Sequence, residues 1–283
     1  IKKQEIPTGH NPKNYILTRV YASSQDGKKI PISIIRRKNT PKNAPTLLYG
    51  YGSYGISIPP SFSASRLSLI DRGMVYAIAH IRGGMEKGKK WYEDGKKKNK
   101  LNSFNDFISC AKFLKKKNIS GNISIHGGSA GGLLIGASLN ISPDTFHCAI
   151  AEVPFVDVLN TILDDTLPLT PPEWEEWGNP IKNKSDFNYI RSYSPYDNIK
   201  KQSYPAILAT SGLTDPRVTY WEATKWIAKL RNEKIDNNPI FLKTYTEAGH
   251  GGMAGRYNQI KEIAFIYAFI LWRNNLTKRS ISR

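Results

Sequence analysis

From residue 46 to residue 245 the chain repeats one pattern, a short run rich in Val, Ile, Leu and Ala followed by a stretch long enough for a helix. The runs occupy 46–49, 74–79, 122–125, 148–151, 206–209 and 240–245. Such runs are too short for buried helices and read as strands covered on both faces, and strands alternating with helices imply a mainly parallel sheet. The first forty residues follow another rule. Segments 15–20 and 30–35 alternate as strands do and are joined across Gln25, Asp26, Gly27 and Lys28, where Asp-Gly is a hairpin signal. The expected class is α/β: a mainly parallel sheet flanked by helices, with an N-terminal antiparallel hairpin. At 283 residues the chain is read as one domain, 1–283, of which 1–45 is a leading segment carrying the hairpin. The clearest helix is expected over 103–117, burying Phe104, Phe107, Ile108, Ala111 and Leu114, with Asp106 in its first turn and Lys115, Lys116 and Lys117 at its negative end. An amphipathic helix closes the chain around 260–271.

Charge narrows the partners. A formal net charge of +18 would suit a nucleic-acid binder. The lysines, however, sit in short scattered clusters such as Lys89 and Lys90 or 96–98, and no nucleic-acid motif accompanies them, so solvated faces are expected and nucleic acid is not. No apolar run approaches the ~18 residues of a membrane span, and no signal-peptide pattern is present, so no membrane partner is expected. Cys110 and Cys148 lie in apolar surroundings and read as buried free thiols, which fits a reducing, cytoplasmic setting. The chain begins at Ile1 rather than Met, which reads as a processed product or the last domain of a longer protein.

The chemistry enters at Gly127-Gly-Ser-Ala-Gly131, a G-x-S-x-G pattern between the strand at 122–125 and a helix expected over 133–138. Ser129 would then stand on the tight strand-to-helix turn of an α/β-hydrolase fold, flanked by residues small enough for a strained backbone, with the helix's positive end facing a developing oxyanion. The plain alternative is a glycine-rich turn with an incidental serine. A serine hydroxyl needs a base, and only His147 and His250 follow Ser129, as the chain order Ser, acid, His of this fold requires. His147 is too close in sequence for that order, with no strand and loop between to supply an acid. His250 lies in Gly249-His-Gly-Gly252, just after the last strand, and is the expected base. The acid should end the preceding strand, where 210–217 offers Asp215, a residue that could equally cap the turn before Pro216. No H-E-x-x-H or Cys-His cluster suggests a metal, and no cofactor is needed.

Together with Leu48-Tyr-Gly-Tyr-Gly-Ser-Tyr-Gly55, Arg82-Gly-Gly84, Val153-Pro-Phe-Val-Asp-Val158, Glu175-Glu-Trp-Gly-Asn-Pro180, Ser192-Tyr-Ser-Pro-Tyr-Asp197 and Gly212-Leu-Thr-Asp-Pro-Arg-Val218, these blocks span almost the whole chain. In them the chain resembles the catalytic domain of the prolyl oligopeptidase family of serine peptidases, and within it the oligopeptidase B branch. The resemblance implies an endopeptidase acting on short peptides after Arg or Lys. It puts Tyr51 and the Ala130 N–H at the oxyanion, and Arg217, Tyr54, Glu173 and Glu175 at the substrate, the two glutamates as an acidic pair for the residue before the cut bond. Trp174 or Trp177 could pack the stem of that residue. It also implies an N-terminal β-propeller that restricts access to small peptides, lying upstream in a longer parent chain.

Part of this specificity is legible without the family. Between Ala151 and Ile181 stand seven acids, Glu152, Asp157, Asp164, Asp165, Glu173, Glu175 and Glu176, and no Lys or Arg, in a chain that is otherwise basic. Such a segment can wall an active site and pair with a cationic side chain, or merely be a solvated acidic loop. The resemblance implies acids just after the tyrosine-rich block, where this chain has Pro59 and Ser61, and so a weaker preference for dibasic sites. A lipase or carboxylesterase would use the same triad, but no H-G-G-G-type loop is present; a noncatalytic binding module could keep the fold.

Overall fold

The computed structural model of the chain describes residues 5, 6, 9–277. Ile1 and the rest of the leading segment before Gly9, apart from residues 5 and 6, lie outside the described residues. Eight strands form one sheet in the order β1-β2-β4-β3-β5-β6-β7-β8. They are β1 (Tyr15–Ser23), β2 (Lys29–Arg37), β3 (Thr46–Tyr49), β4 (Val75–Ala79), β5 (Ile123–Gly128), β6 (Cys148–Glu152), β7 (Ala206–Gly212) and β8 (Ile240–Tyr245). The hairpin β1-β2 is antiparallel and joins the sheet by antiparallel pairing of β2 with β4. Every pairing from β4 through β3, β5, β6, β7 to β8 is parallel. This is the mainly parallel, helix-flanked sheet with an N-terminal hairpin that the alternation of runs implies.

Successive residues of a strand point to opposite faces, so each central strand feeds two cores. Leu48, Ile125, Ala149 and Ile207 face α3 (Leu101–Lys116), α4 (Ala130–Ile141) and α8 (Tyr220–Glu233), meeting Phe104, Phe107, Leu134 and Trp226. Their neighbours Leu47, Cys148, Ile150 and Leu208 face the other way, toward α1 (Ala64–Ile70) and the closing helix α9 (Arg256–Arg273), meeting Ile70, Ile266 and Ile270. Cys110 and Cys148 are buried free thiols, and burial pushes both thiols up. No helix among the described residues is long and apolar enough to cross a membrane.

One expectation needs correction. Asp106 does not sit in the first turn of its helix, because α3 begins at Leu101 and Asp106 lies in its second turn, fully buried. Its carboxylate instead takes two prongs of the buried Arg82, Nε at 2.8 Å and Nη2 at 2.6 Å, and the Ser24 hydroxyl at 2.6 Å. Arg82 reaches on to Asp26 at 2.6 Å. A planar guanidinium can satisfy two carboxylates at once, and here it ties the hairpin turn to α3.

Candidate active site

Ser129 stands between β5 and α4, as the N-cap of α4, with φ 56° and ψ −122°, a backbone conformation that side-chain-bearing residues rarely adopt. Its neighbours are small for a geometric reason. A Cβ on Gly127 would stand 2.4 Å from the Gly131 carbonyl oxygen, and one on Gly132 would stand 2.4 Å from Pro154. The turn is held from outside as well: the Ser129 N–H donates to the Glu152 carbonyl at 2.8 Å, and its own carbonyl accepts the Phe155 N–H at 3.0 Å.

Two loops bring the other residues over it. Asp215 follows β7, and His250 follows β8. The loops run so close that a Cβ on Gly212 would meet the Ala248 carbonyl at 2.4 Å, and Thr214 donates to that carbonyl through both its N–H and its hydroxyl. The His250 Nδ1 stands 2.7 Å from Asp215 Oδ2, and its Nε2 stands 3.1 Å from the Ser129 hydroxyl. On the far side of the histidine loop, Glu262 of α9 accepts the Met253 N–H at 2.8 Å. His147, the rejected alternative, is bonded to the Arg273 carbonyl instead.

Asp215 is enclosed, its side chain shielded completely. Burial would raise its pKa, but hydrogen bonds from His250 and from the N–H groups of Val218 and Arg217 outweigh it and hold the carboxyl below the ordinary aspartate value. An ionised Asp215 fixes Nδ1 of His250 as the protonated nitrogen, leaving Nε2 as an acceptor for the serine proton. Around the serine, Ala130 is the first residue of α4 and so has no intrahelical acceptor for its N–H. Tyr51 lines the same cleft, and its ring packs where a Cβ on Gly131 would fall within 3.2 Å. Burial first, then Tyr49, Glu173 and Glu176, push the Tyr51 hydroxyl up to about 12 against the pull of Ser129, so it stays a proton donor.

A cleft of about 290 Å³ opens beside these groups, lined by Tyr51, Tyr54, Phe155, Glu173, Arg217 and Glu222 among others. Of the seven acids between 151 and 181, only Glu173 lines it among the described residues. Glu173 receives the Tyr54 hydroxyl at 2.8 Å and the Trp177 indole N–H at 2.7 Å, both on Oε2, which leaves Oε1 open.

Glu175 and Trp174 are not brought to the cleft. On α6 (Thr170–Trp177) a two-residue step turns about 200°, so Glu175 points away from Glu173 and pairs with Lys97 at 3.0 Å, its side chain 86% exposed. The residues that share the face of Glu173 are three and four along. Glu176 is buried and accepts the Tyr54 N–H at 3.0 Å and the Tyr92 hydroxyl at 2.6 Å. Trp177 is the tryptophan in edge contact with Tyr54, whereas Trp174 donates its indole N–H to the Ile162 carbonyl. Tyr54 sits at φ 58°, held at its N–H by Glu176 and at its hydroxyl by Glu173.

Two residues escaped the sequence reading. Lys100 is fully buried under the tyrosine block, donating to the Gly52 carbonyl at 2.6 Å and the Ser53 hydroxyl at 2.7 Å, with its ammonium 4.9 Å from the centre of the Trp177 ring. The other is Glu222 in the first turn of α8, and it did leave a signal. Residues 222, 226 and 230 fall on one helix face, so an acid shares the core stripe with Trp226 and Leu230.

Comparison with known proteins places the chain in a family. The model of the prolyl oligopeptidase family matches residues 60–276. Dipeptidyl aminopeptidase BI of Pseudoxanthomonas mexicana is 47% identical over 96% of this chain and 38% of its own length. Protease 2 of Moraxella lacunata is 47% identical over 89% of this chain and 37% of its own. Oligopeptidase B from Leishmania major superposes on the whole chain with a TM-score of 0.96 at 46% identity, covering 40% of that structure. Oligopeptidase B from Trypanosoma brucei with covalently bound antipain gives 0.93 at 48% identity, covering 96% of this chain and 39% of that one. The chain therefore spans under two-fifths of the length of these curated relatives. With the family model covering most of the chain and relatives this similar along nearly all of it, the chain belongs to the prolyl oligopeptidase family.

Proposed function

We propose that the chain is the catalytic part of a serine endopeptidase that hydrolyses short peptides after Arg or Lys through an acyl-enzyme. The observation that carries this reading is His250, within hydrogen-bond reach of the Ser129 hydroxyl on one side and of a shielded, ionised Asp215 on the other. In the proposed cycle His250 Nε2 takes the Ser129 proton as Oγ bonds to the peptide carbonyl carbon. The Ala130 N–H and the Tyr51 hydroxyl donate to the oxyanion, and the proton passes to the leaving amine as the C–N bond breaks. Water then repeats the sequence on the ester and frees Ser129. The open oxygen of Glu173 takes the cationic side chain, Tyr54 and Trp177 shape its surroundings, and Arg217 at the cleft edge contacts substrate.

Two similar structures named oligopeptidase B, and a covalent adduct in one of them, support both the chemistry and the substrate class. The remaining three-fifths of the relatives' length corresponds, in this reading, to the N-terminal β-propeller that limits entry to small peptides. A cytoplasmic setting belongs to the same reading, supported by two buried thiols. The test is cleavage of matched fluorogenic peptides ending in Arg, Lys, Pro or Ala, with Ser129→Ala as blank. Turnover of Arg and Lys peptides that vanishes in the variant supports the reading. Preference for Pro removes the role of Glu173 and leaves the triad.

A second reading comes from the relative named dipeptidyl aminopeptidase, namely release of dipeptides from a free N-terminus. Peptides with acetylated and free N-termini separate the two, since an endopeptidase cuts both.

A further inference from the structure

Two carboxylates line the cleft, and the proposed chemistry uses one of them. The other, Glu222, is 1% exposed. Its Oε2 accepts the N–H groups of Val156 at 2.8 Å and Asp157 at 2.9 Å, and its Oε1 accepts the Thr161 hydroxyl at 2.8 Å. A carboxylate offers about four lone-pair sites. Three are filled, and the fourth is on Oε1, beside a threonine that also lines the cleft. The nearby cation Lys225 is bonded to Asp157, so that pair is already neutral and Glu222 adds net negative charge to the cleft floor. On the core stripe of α8 an apolar side chain would avoid the desolvation that a carboxylate suffers there.

We propose that Glu222 is a second specificity-determining carboxylate, forming the floor of the cleft and receiving, together with Glu173, the cationic head group of the substrate's Arg or Lys side chain. This rests on reading the cleft as a pocket for a cation. It gives the pocket two acceptors on separate helices, α6 and α8, matched to a guanidinium that donates in two directions.

The same geometry makes recognition depend on protons. Burial pushes Glu222 up to about 7, with the nearby charge of Asp157 adding to it and the hydrogen bonds from Asp157, Thr161 and Val156 opposing it. The charged groups around it are Asp157 after β6, Lys225 on its own helix, Glu173 on α6, Arg217 at the cleft edge and the His250 and Asp215 pair across the cleft. A cation entering the cleft favours the ionised carboxylate, so binding releases a proton near neutral pH.

The experiment is calorimetry on Ser129→Ala protein with one peptide carrying arginine before the cut bond and a twin carrying citrulline, its uncharged isostere. Titrations in buffers of different ionisation enthalpy count the protons. Arginine is expected to bind more tightly and to release about half a proton more than citrulline at pH 7, where the free carboxyl is half protonated. The affinity ratio of the two peptides should rise roughly tenfold between the protonated and ionised limits. Adding Glu222→Gln should remove the extra proton release and flatten the affinity ratio in pH. Should that variant fail to fold, the proton count with Glu222 in place decides alone. Tighter arginine binding with no extra proton release and a ratio flat in pH overturns the role of Glu222 while sparing Glu173. Equal binding of the two peptides overturns the cation pocket itself and this inference with it.

Discussion

The ammonium of Lys100 lies 2.6 Å from the carbonyl oxygen of Gly52, one residue from Tyr51 and two from Tyr54. A buried cation thus holds the loop that carries both tyrosines from beneath, against the Trp177 ring. Lys100→Met should leave the Gly52 carbonyl and the Ser53 hydroxyl without their donor and lower stability by about 1–3 kcal/mol in urea unfolding. Activity should fall further than stability explains, because the loop loses its register over Ser129. Burial draws Lys100 down to about 8, against the opposing pull of Glu176. Because the folded value lies below the unfolded one, the unfolded chain binds more protons between about 8 and 10.5, and this group adds stability as pH rises through that window. Over the same window the clamp loses its charge, so kcat/KM should show an alkaline fall near pH 8 that Lys100→Met lacks.

Tyr51→Phe removes one proposed oxyanion donor and leaves the ring that packs on Gly131. It should lower kcat roughly 10²- to 10³-fold with KM nearly unchanged, the pattern of a contact made only in the transition state. A change confined to KM would assign the hydroxyl to substrate binding instead.

Glu173→Gln and Glu175→Gln should behave differently despite their spacing of two. The first should erode the preference for Arg over a neutral residue. The second removes an exposed partner of Lys97 and should change kcat/KM by roughly less than twofold. Equal losses in both variants would return Glu175 to the pocket.

Pro59 and Ser61 stand where the resemblance implies acids after the tyrosine block. Ser61 and Pro60 line a groove with His10 and Phe62, separate from the cleft. Fluorogenic Arg-Arg and Ala-Arg peptides should therefore be cut at similar rates, and a large advantage for Arg-Arg would sink the idea.

Asp106→Ala should cost about 1–3 kcal/mol, because the buried Arg82 Nε and the Ser24 hydroxyl lose their acceptor while Asp26 still pairs the guanidinium. Thermal or chemical unfolding measures this directly, and the ratio of Arg to Lys cleavage should not move.

The strands were legible because buried apolar runs and the Asp-Gly turn are local signals, and β3 and β8 have the bounds that the runs suggest. Ser129, Asp215 and His250 could be singled out because each follows a strand, and a parallel sheet carries the ends of its strands to one edge. What was illegible depended on phase or on distance. The choice of Glu176 over Glu175 as the partner of Glu173 needs the knowledge that 170–177 is helical, where one residue turns the side chain by about 100°. Asp106 looked like a helix-start acid until Arg82, twenty-four residues earlier, arrived beside it. Lys100 stood in a run of lysines that otherwise reaches solvent, and nothing local marks it as the buried one.

His250 lies 121 residues from Ser129 and 35 from Asp215 along the chain, and β8, which carries it, is an edge strand held on one side by β7. The Ser129–His250 contact, remote in sequence, must wait on loop closure that local helices do not need. Recovery of activity on refolding should thus lag behind recovery of helical signal, making hydrolysis itself a clock for the final zipping of the sheet. Under mild denaturant, fraying of that last strand would silence the enzyme while the hairpin and central strands still stand.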